Sequence, residues 1–418
     1  MTLRILLIIL LLLLIDLYVF NGLKSLIQGS AISIKRFVTI LFWSLTVISV
    51  MSIMSGQIID WRTWPKMFRT FLFASIVILY LSKVFVLVFL MLDDLVRGGR
   101  YLVNLLSALF EDKKEGVFQS PSISRHDFLV RLGFIVGAVP FISMIYGMTG
   151  GAYNYKVRKV KLRLVGLPDT FRNMKLVQIS DLHLGSFMSV DPLKKAVELI
   201  NSQKPDLVLF TGDLVNDRAA EVLPYKDVLS EISARHGVYS VLGNHDYGDY
   251  YRWNSEEEKI SNFENLKQLQ KEMGWKLLLN SNDTIERDGS RLALIGVENW
   301  SARMNFQRYG NLDKAVDGLS RADVNILLSH DPSHWDAEVN SKYSFIDLTL
   351  SGHTHGFQFG VEVPGFRWSP VQYVYQRWAD LYKTGKQYLY VNRGLGFIGY
   401  PGRVGILPEI TVIELVNS

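Results

Sequence analysis

Aspartate, asparagine and histidine residues follow short apolar runs at five places in the second part of the sequence. The five motifs are Ser180-Asp181-Leu182-His183, Thr211-Gly212-Asp213, Gly243-Asn244-His245-Asp246, Ser329-His330-Asp331 and Ser351-Gly352-His353-Thr354-His355. Their carboxylate, amide and imidazole groups suit Mn²⁺, Fe, Zn²⁺ or Mg²⁺ rather than soft metal ions. The chain has no cysteine, which excludes a thiolate zinc site, an iron–sulfur cluster and a cysteine nucleophile.

Ligands of this type are more numerous here than a single tetrahedral ion takes. We therefore expect two divalent metal ions about 3.5–4 Å apart, with one carboxylate bridging them. Such a pair activates water for in-line attack on phosphorus and neutralises charge on the phosphoryl oxygens. The pattern thus predicts a metal-dependent phosphoric ester hydrolase that needs no serine or cysteine nucleophile.

The local sequence predicts that each motif stands at the end of a β-strand. The apolar runs before the motifs are Lys175–Ile179, Asp206–Phe210, Val238–Leu242, Val324–Leu328 and Leu348–Leu350. Helical spacing recurs over Pro192–Ile200 and Phe263–Met273, and Asp288-Gly289 between apolar segments predicts a hairpin. Strands that alternate with helices favour a layered α/β domain with its sheet covered on both faces. Because ligands gather outside the carboxyl ends of such strands, we expect the motifs to converge in one crevice.

Taken in chain order, the five motifs resemble the signature of calcineurin-like metallophosphoesterases, and in particular that of the family's bacterial membrane-associated branch. The resemblance extends over roughly residues 156–415, and near its end includes Asn392-Arg393-Gly394-Leu395-Gly396 and Leu407-Pro408-Glu409-Ile410. It implies a sheet-sandwich α/β domain. It also implies that one metal ion is held by Asp181, His183 and His355, and the second by Asn244, His330 and His353.

The resemblance implies roles for three further motif residues. Asp213 would bridge the two ions. His245 matches the family's histidine that is not a ligand but contacts the phosphate and protonates the leaving oxygen, and Asp246 would orient it. No residues for a cofactor other than the metals are implied.

Polar and aromatic residues outside the motifs are expected to be structural. This set comprises His126, His236, His334, Asp217, Asp331, Trp368, Tyr373, Tyr375 and Trp378. We expect the histidines to lie on the surface or in the core, the aspartates to make capping or supporting hydrogen bonds, and the aromatics to pack. For Arg393, which precedes a glycine-rich turn, contact with a substrate phosphate and a salt bridge are equally open.

The first third of the sequence has the composition of a membrane region. Only 20% of all residues are charged, against about 25% in soluble proteins. The shortfall lies in four apolar runs, Ile5–Phe20, Phe37–Ile59, Phe71–Leu92 and Leu132–Gly150. Each approaches or exceeds the roughly 20 residues that cross a bilayer as a helix. We predict a four-helix transmembrane bundle with an interfacial helix around Leu102–Phe110 over residues 1–154, and a catalytic domain over residues 155–418.

Two charged residues lie within the predicted spans, Asp16 in the first and Lys83 in the third. An intramembrane charge marks a functional site by default. We favour a simpler interpretation, in which Asp16 reaches the lipid headgroups from near a helix end and Lys83 faces the interior of the bundle.

The basic residues do not decide the orientation of the chain in the membrane. Lys and Arg outside the spans are equally numerous on the two sides, so the positive-inside rule gives no preference. The basic segment Lys156–Arg163, directly after the last span, favours a cytoplasmic catalytic domain. Its alternation with apolar residues is also typical of a lysine-protected edge strand.

Two functions remain for the whole chain. The preferred one is a membrane-anchored dinuclear-metal phosphoesterase acting on a phosphate ester or pyrophosphate bond of a lipid-linked substrate, such as a phospholipid headgroup or, by analogy with relatives, UDP-diacylglucosamine. The alternative is a membrane sensor or transport protein whose metal-binding domain does not hydrolyse. Nucleic acid is not an expected partner, because much of the net charge of +5 flanks apolar segments and no basic, aromatic-interleaved stripe occurs in the soluble part.

Overall fold

The computed structural model describes residues 3–107, 125–303, 306–319 and 321–417. The chain divides into two units, Met1–Ile145 and Tyr146–Ser418. The boundary that the sequence predicts, between residues 154 and 155, falls a few residues inside the second unit.

The first unit consists of long helices. They are α1 (Leu3–Leu26), α2 (Ile32–Ser55), α3 (Lys66–Ser107) and α4 (Arg125–Tyr146). Each is long and apolar enough to cross a membrane, which confirms a long apolar helix at each of the four predicted spans. Of the expected interfacial helix, residues 102–107 continue α3 without a break, while Leu109 and Phe110 lie outside the described residues.

The charged residues of the spans meet inside the first unit. Asp16 is fully buried and forms an ion pair with Lys83, which is almost fully buried as well. The hydroxyl groups of Thr46 and Tyr80 donate to the same carboxylate over 2.8 and 2.7 Å. The expectation that Asp16 reaches the headgroups is therefore wrong, whereas Lys83 does face the interior. A charge in hydrocarbon needs such partners, and α1, α2 and α3 supply them together.

The second unit contains two six-stranded sheets and a separate hairpin. The strands are β1 (Lys156–Leu164), β2 (Lys175–Ile179), β3 (Leu207–Phe210), β4 (Val238–Ser240), β5 (Trp275–Leu277), β6 (Ser281–Arg287), β7 (Ser290–Gly296), β8 (Val324–Leu328), β9 (Leu348–Ser351), β10 (Val361–Val363), β11 (Phe366–Trp368), β12 (Asp380–Thr384), β13 (Gln387–Val391) and β14 (Glu409–Asn417). The first sheet has the order β1-β14-β2-β3-β4-β5, the second has the order β12-β13-β9-β8-β7-β6, and β10 pairs with β11. The helices are α5 (Asp191–Ser202), α6 (Lys226–Ser230), α7 (Glu256–Glu272), α8 (Leu312–Ala315) and α9 (Asn340–Lys342).

The two sheets pack face to face around a buried apolar core. Leu176 and Leu209 of the first sheet and Ile326 and Leu350 of the second belong to this core. Residues of α5 and α7 cover the outer face of the first sheet, and a cluster around Trp335 covers the outer face of the second. Each sheet is thus covered on both faces, as the sequence predicts. Burial on both sides explains the continuous apolar runs of the central strands.

The predicted elements match the observed ones closely. β2 and β8 have the predicted bounds, and β3, β4 and β9 differ from the prediction by one or two residues at an end. The predicted helices correspond to α5 and α7, and Asp288-Gly289 joins β6 to β7. α7 begins well before the predicted Phe263 because the Ser255 side chain accepts a hydrogen bond from the backbone N–H of Glu258 and caps the helix.

β1 forms one edge of the first sheet, where it pairs in parallel with β14. Its Lys159, Lys161 and Arg163 are exposed and alternate with the buried Leu162 and Leu164. The basic segment after the last span is therefore an edge strand protected by charge. An edge strand can lie on either side of the membrane, so this role does not remove the preference that the positive-inside rule gives to a basic segment after the last span.

Candidate metal centre

The five motifs meet at one end of the stacked sheets. The motifs of Asp181, Asp213 and Asn244 follow β2, β3 and β4 of the first sheet, whereas those of His330 and His353 follow β8 and β9 of the second. The side chains therefore converge in a crevice built by two sheets rather than at the edge of a single one. Stacking of the sheets is what brings the two sets together.

Five motif residues have left-handed backbone conformations. The angle φ is 51° at Asp181, 47° at His183, 59° at Asp213, 69° at His353 and 50° at His355. Such conformations are strained for residues other than glycine and concentrate at functional sites. They let the chain turn sharply at the strand ends.

Two glycines of the motifs permit close contact between neighbouring loops. A Cβ atom at Gly243 would lie 2.2 Å from Oδ1 of Asp213, and one at Gly352 would lie 2.3 Å from Oδ2 of Asp181. Any side chain at either position would collide with a carboxylate of the centre. This explains why glycine precedes Asn244 and His353.

Asp181, His183 and His355 form one group of candidate ligands. Nε2 of His183 lies 3.0 Å from Nε2 of His355, which is 3.3 Å from Oδ1 of Asp181. Burial lowers the pKa of His183 to about 3. Burial, together with His183 and the Arg403 guanidinium, holds the pKa of His355 well below its usual value. Both imidazoles are therefore neutral, which is the form that binds metal ions.

Asp213, His330 and His353 form a second group. Oδ2 of Asp213 lies 3.1 Å from Nε2 of His330, and that nitrogen is 3.3 Å from Nδ1 of His353. The same Nδ1 lies 2.9 Å from Oδ1 of Asn244. Nδ1 of His330 donates to the carbonyl of Thr211 over 2.7 Å, so Nε2 faces the other candidate ligands.

Asp213 connects the two groups, because its Oδ2 also lies 3.5 Å from Nε2 of His183. In each group the candidate ligand atoms all lie within 4.8 Å of one another, and Asp213, His183 and His245 form a third such group. Burial raises the pKa of Asp213, but the nearby His330, His245 and His183 together outweigh it and bring the pKa well below its usual value. Burial lowers the pKa of His330, but Asp213, Asp181 and the Thr211 carbonyl together outweigh it and raise the pKa to about 10. The crevice thus favours a positive charge beside Asp213.

The relation between Asp246 and His245 differs from what the resemblance implies. Nδ1 of His245 donates to the carbonyl of Asn216 over 2.7 Å. Asp246 is fully buried and accepts hydrogen bonds of 2.8–2.9 Å from three backbone N–H groups, those of Asp213, Leu214 and Gly243. The expectation that Asp246 orients His245 is therefore wrong. The Asn216 carbonyl orients the ring, and Asp246 fixes the loop that carries Asp213.

Two residues beside the centre lie outside the motifs. The hydroxyl of Tyr375 is 2.8 Å from Nε2 of His353 and 3.2 Å from Oδ2 of Asp331. Arg403 is almost completely buried, and its guanidinium lies 3.3 Å from Nδ1 of His355. Tyr375 was expected only to pack, and Arg403 was not anticipated. Both belong to loops whose path depends on the tertiary structure, so no local pattern marks them.

The other expectations have mixed outcomes. His334 is fully buried between Ser329 and Glu338, as expected for a core histidine. Arg393 is fully buried in ion pairs with three carboxylates, those of Glu362, Asp380 and Glu409, so the salt-bridge alternative is the correct one. Trp378 is buried, whereas Tyr373 is 76% exposed and contradicts the packing expected of it.

Comparisons with known proteins agree with this arrangement. Residues 3–152 match the family described as probable calcineurin-like phosphoesterase, transmembrane domain, and residues 174–357 match the calcineurin-like phosphoesterase family. The uncharacterized metallophosphoesterase YkuE of Bacillus subtilis is 32% identical over 259 residues, which cover 60% of this chain and 82% of that protein. The chain belongs to the calcineurin-like metallophosphoesterase family.

Relatives of this metallophosphoesterase include a membrane protein. The transmembrane protein with metallophosphoesterase domain of Danio rerio is 30% identical over 281 residues, which are 66% of this chain but only 60% of the length of that relative. The solved structure of Haemophilus influenzae NAD nucleotidase aligns with 53% of this chain and 45% of that chain, with 17% identity and a TM-score of 0.36. That similarity is too low to carry an argument. Together with the four apolar helices, the two matches identify a membrane-associated member of the calcineurin-like metallophosphoesterase family.

The side chains present fit the metal centre that this family implies. Imidazole nitrogens and carboxylate oxygens converge without a thiolate, which suits hard or borderline divalent ions. Two ring nitrogens, on His183 and His355, face each other at 3.0 Å with both rings neutral. The lone pairs of two such nitrogens can bind one cation in place of the proton of an N–H···N hydrogen bond.

Proposed function

We propose that this metallophosphoesterase holds two divalent metal ions and hydrolyses a phosphate ester or a pyrophosphate bond. In this proposal one ion is held by Asp181, His183 and His355, the other by Asn244, His330 and His353, and Asp213 bridges them. The observation that carries it is the position of Asp213, within 3.1 Å of His330 and 3.5 Å of His183. When bound, the ions supply charge stabilisation for the phosphoryl oxygens and a lowered pKa for water. Mn²⁺, Fe, Zn²⁺ and Mg²⁺ all match the donor types.

His245 is proposed to protonate the leaving oxygen. Its Nδ1 is engaged by the Asn216 carbonyl, so Nε2 is the nitrogen left to meet the substrate. The ring is partly exposed, unlike the fully buried His183 and His330, and stacks at a tilt 4.6 Å from Tyr250. A partly exposed imidazole whose second nitrogen is fixed by a carbonyl is suited to general acid catalysis.

The substrate class is proposed to be a lipid-linked phosphate. Four helices able to span a bilayer hold the enzyme at the membrane, where lipid-linked phosphates are concentrated in two dimensions. We also propose a cytoplasmic catalytic domain, because a basic segment directly follows the last span. A reporter fused after residue 418 tests the orientation, and reporter activity confined to the periplasmic or extracellular side would contradict it.

The hydrolytic proposal is tested by turnover of aryl phosphate monoesters and diesters by the purified full chain, after metal removal and reconstitution with Mn²⁺. We expect activity only in the reconstituted enzyme and a loss of several orders of magnitude in Asp213→Asn, because the ligands act as a unit. Asp227→Asn, which changes an exposed carboxylate on α6, is the matched control and keeps full activity.

Unchanged turnover in Asp213→Asn would defeat the hydrolytic mechanism. If the chain binds metal but hydrolyses no class of phosphate ester with any of the four metals, the result favours the non-hydrolytic sensor or transport function.

A further inference from the structure

The hairpin formed by β10 and β11 has two chemically different faces. Its register pairs Val361 with Trp368, Glu362 with Arg367, and Val363 with Phe366. Because alternate residues of a strand point to opposite sides, the four apolar side chains share one face. Glu362 and Arg367 share the other.

The charged face is bound to the rest of the catalytic domain. Glu362 accepts hydrogen bonds from Arg393 over 2.7 Å and from Arg158 of β1 over 2.5 Å. Arg367 forms an ion pair with Asp380. Since Arg393 is itself fully buried, these contacts fix which face of the hairpin points inward.

The apolar face is consequently turned outward. Val361, Val363 and Phe366 are 46%, 52% and 56% exposed. Soluble sheets normally bury the apolar face and expose the charged one, and contiguous exposed apolar surface marks an interaction site. The hairpin shows the inverse arrangement.

The outward apolar surface extends beyond the hairpin. Tyr373 and Val374 follow β11 and are exposed, and the indole N–H of Trp368 donates to the hydroxyl of Tyr373 over 3.3 Å. Aromatic and aliphatic groups therefore lie side by side on this surface. We call Val361, Val363, Phe366, Trp368, Tyr373 and Val374 the apolar face.

We propose that the apolar face inserts into the interfacial region of a lipid bilayer. The same chain carries four helices able to span a membrane, so the catalytic domain is tethered to any bilayer that these helices cross. Trp, Tyr and Phe beside aliphatic residues are the side chains that favour the membrane–water interface.

The charge beside the hairpin agrees with a lipid partner. The hairpin is bonded through Glu362 to Arg158 of β1, and that strand exposes Lys156, Lys159 and Lys161. Basic residues next to an inserted apolar surface add attraction to anionic headgroups. The partner we infer is thus a bilayer that contains anionic lipid.

The apolar face also leads to the metal centre. Ser369, directly after β11, donates to the carbonyl of Gly356, which follows His355. A few residues further along, the Tyr375 hydroxyl contacts His353 at 2.8 Å. Docking itself is independent of hydrolysis. Presentation of a lipid phosphate to the centre rests on the proposed function.

The absence of cysteine makes a direct test of docking possible. Phe366→Cys places a single thiol on the apolar face for an environment-sensitive fluorophore. Phe345→Cys is the matched control, because Phe345 is an exposed phenylalanine of the same domain that precedes β9, at the end of the strand away from the centre. Each labelled full chain is reconstituted into nanodiscs of phosphatidylcholine with phosphatidylglycerol, in which some lipids carry a quencher near the headgroup.

We expect lipid quenching at residue 366 to be several-fold stronger than at residue 345, and to weaken when phosphatidylglycerol is omitted. Equal quenching at the two positions overturns the proposal. So does a label at 366 that is shielded from aqueous quenchers but not quenched by lipid, since that result indicates a protein partner.

A second measurement separates docking from catalysis. The double variant Val363→Ser with Phe366→Ser is expected to raise KM several-fold for a lipid phosphate in nanodiscs and to leave kcat for a soluble aryl phosphate unchanged. An equal loss on both substrates contradicts a docking role. If the wild-type chain hydrolyses neither substrate while residue 366 is still quenched, the proposed function fails and docking stands.

Discussion

Oδ2 of Asp213 lies 3.1 Å from Nε2 of His330, and both side chains are almost completely buried. The two residues follow strands of different sheets, β3 and β8. The contact forms part of the centre, and it can form only when the two sheets are stacked as described. Binding or removal of metal ions at this centre should therefore change the free energy of unfolding of the whole catalytic domain.

Removal of divalent ions is expected to lower the melting temperature of the catalytic domain. Buried carboxylates repel one another when no cation lies between them. Burial, and to a smaller extent the charge of Asp213, raises the pKa of Asp181 to about 6. An ion present at about 100 times its Kd stabilises the folded state by about 2.7 kcal/mol. Thermal unfolding of the full chain across a Mn²⁺ titration measures this effect. A melting temperature independent of Mn²⁺ in the wild type, or a dependence retained in Asp213→Asn, would argue against the centre.

His245→Gln is expected to separate protonation from metal binding. The variant should retain its metal, because the ligand set proposed for the two ions does not include His245. Loss of a general acid costs about 10²- to 10⁴-fold in rate, and the loss should be much smaller for a nitrophenyl ester, whose leaving group needs no proton. Metal content, together with kcat for alkyl and nitrophenyl esters, shows whether His245 protonates the leaving group without binding metal. His236→Gln, outside the motifs, serves as the control, and equal losses on the two esters would remove His245 from the proton-donor role.

Asp16→Asn and Lys83→Met are each expected to destabilise the membrane-spanning unit. Either change leaves a buried group without its charged partner, which costs about 3–5 kcal/mol, whereas the double variant should cost less than the sum. Heating in detergent followed by size-exclusion chromatography measures the fraction that stays monodisperse. Lys24→Met makes the same chemical change at an exposed position of α1 and is the control. Additive losses in the double variant would show that the two side chains do not act as a pair.

His334 is expected to make the catalytic domain less stable in acid. Burial lowers its pKa to about 4, while the unfolded chain has the ordinary value of about 6.5. Between these values the unfolded state binds more protons, so this contribution is complete above pH 6.5 and is lost as the pH falls towards 4. The loss amounts to about 3 kcal/mol. Melting temperatures of the wild type and His334→Gln at several pH values test this, and parallel pH profiles would show that His334 does not titrate as a buried neutral group.

Much of the site follows from the sequence because its residues stand at strand ends. An apolar run that stops at an aspartate or a glycine–histidine pair can be recognised without tertiary information, which is why the positions of Asp181, Asp213 and His330 after strand ends were predicted correctly. The contact of His245 could not be predicted, because the Asn216 carbonyl is a backbone group brought in by a loop. Arg403 and Tyr375 were missed for the same reason.

In the membrane-spanning unit, prediction from the sequence succeeds for the helices but not for the contacts between them. Hydropathy located the four helices, since each span needs a long apolar run. The partner of Asp16 could not be read from the same pattern, because rotation of α1 relative to α3 decides whether Asp16 meets lipid or Lys83. The two faces of the β10–β11 hairpin were also hidden, since three-residue strands are too short for alternation to be recognised.

β14 lies between β1 and β2, and pairs Glu409 with Lys156 on one side and Glu414 with Lys175 on the other. During synthesis, which runs from the amino end, β1 and β2 therefore emerge long before the strand that joins them. All four spans leave the ribosome earlier still, so bilayer insertion precedes completion of the first sheet. Until β14 is synthesised, β1 has no strand partner and one side of β2 is unpaired, and unpaired strand edges make a folding intermediate prone to aggregation.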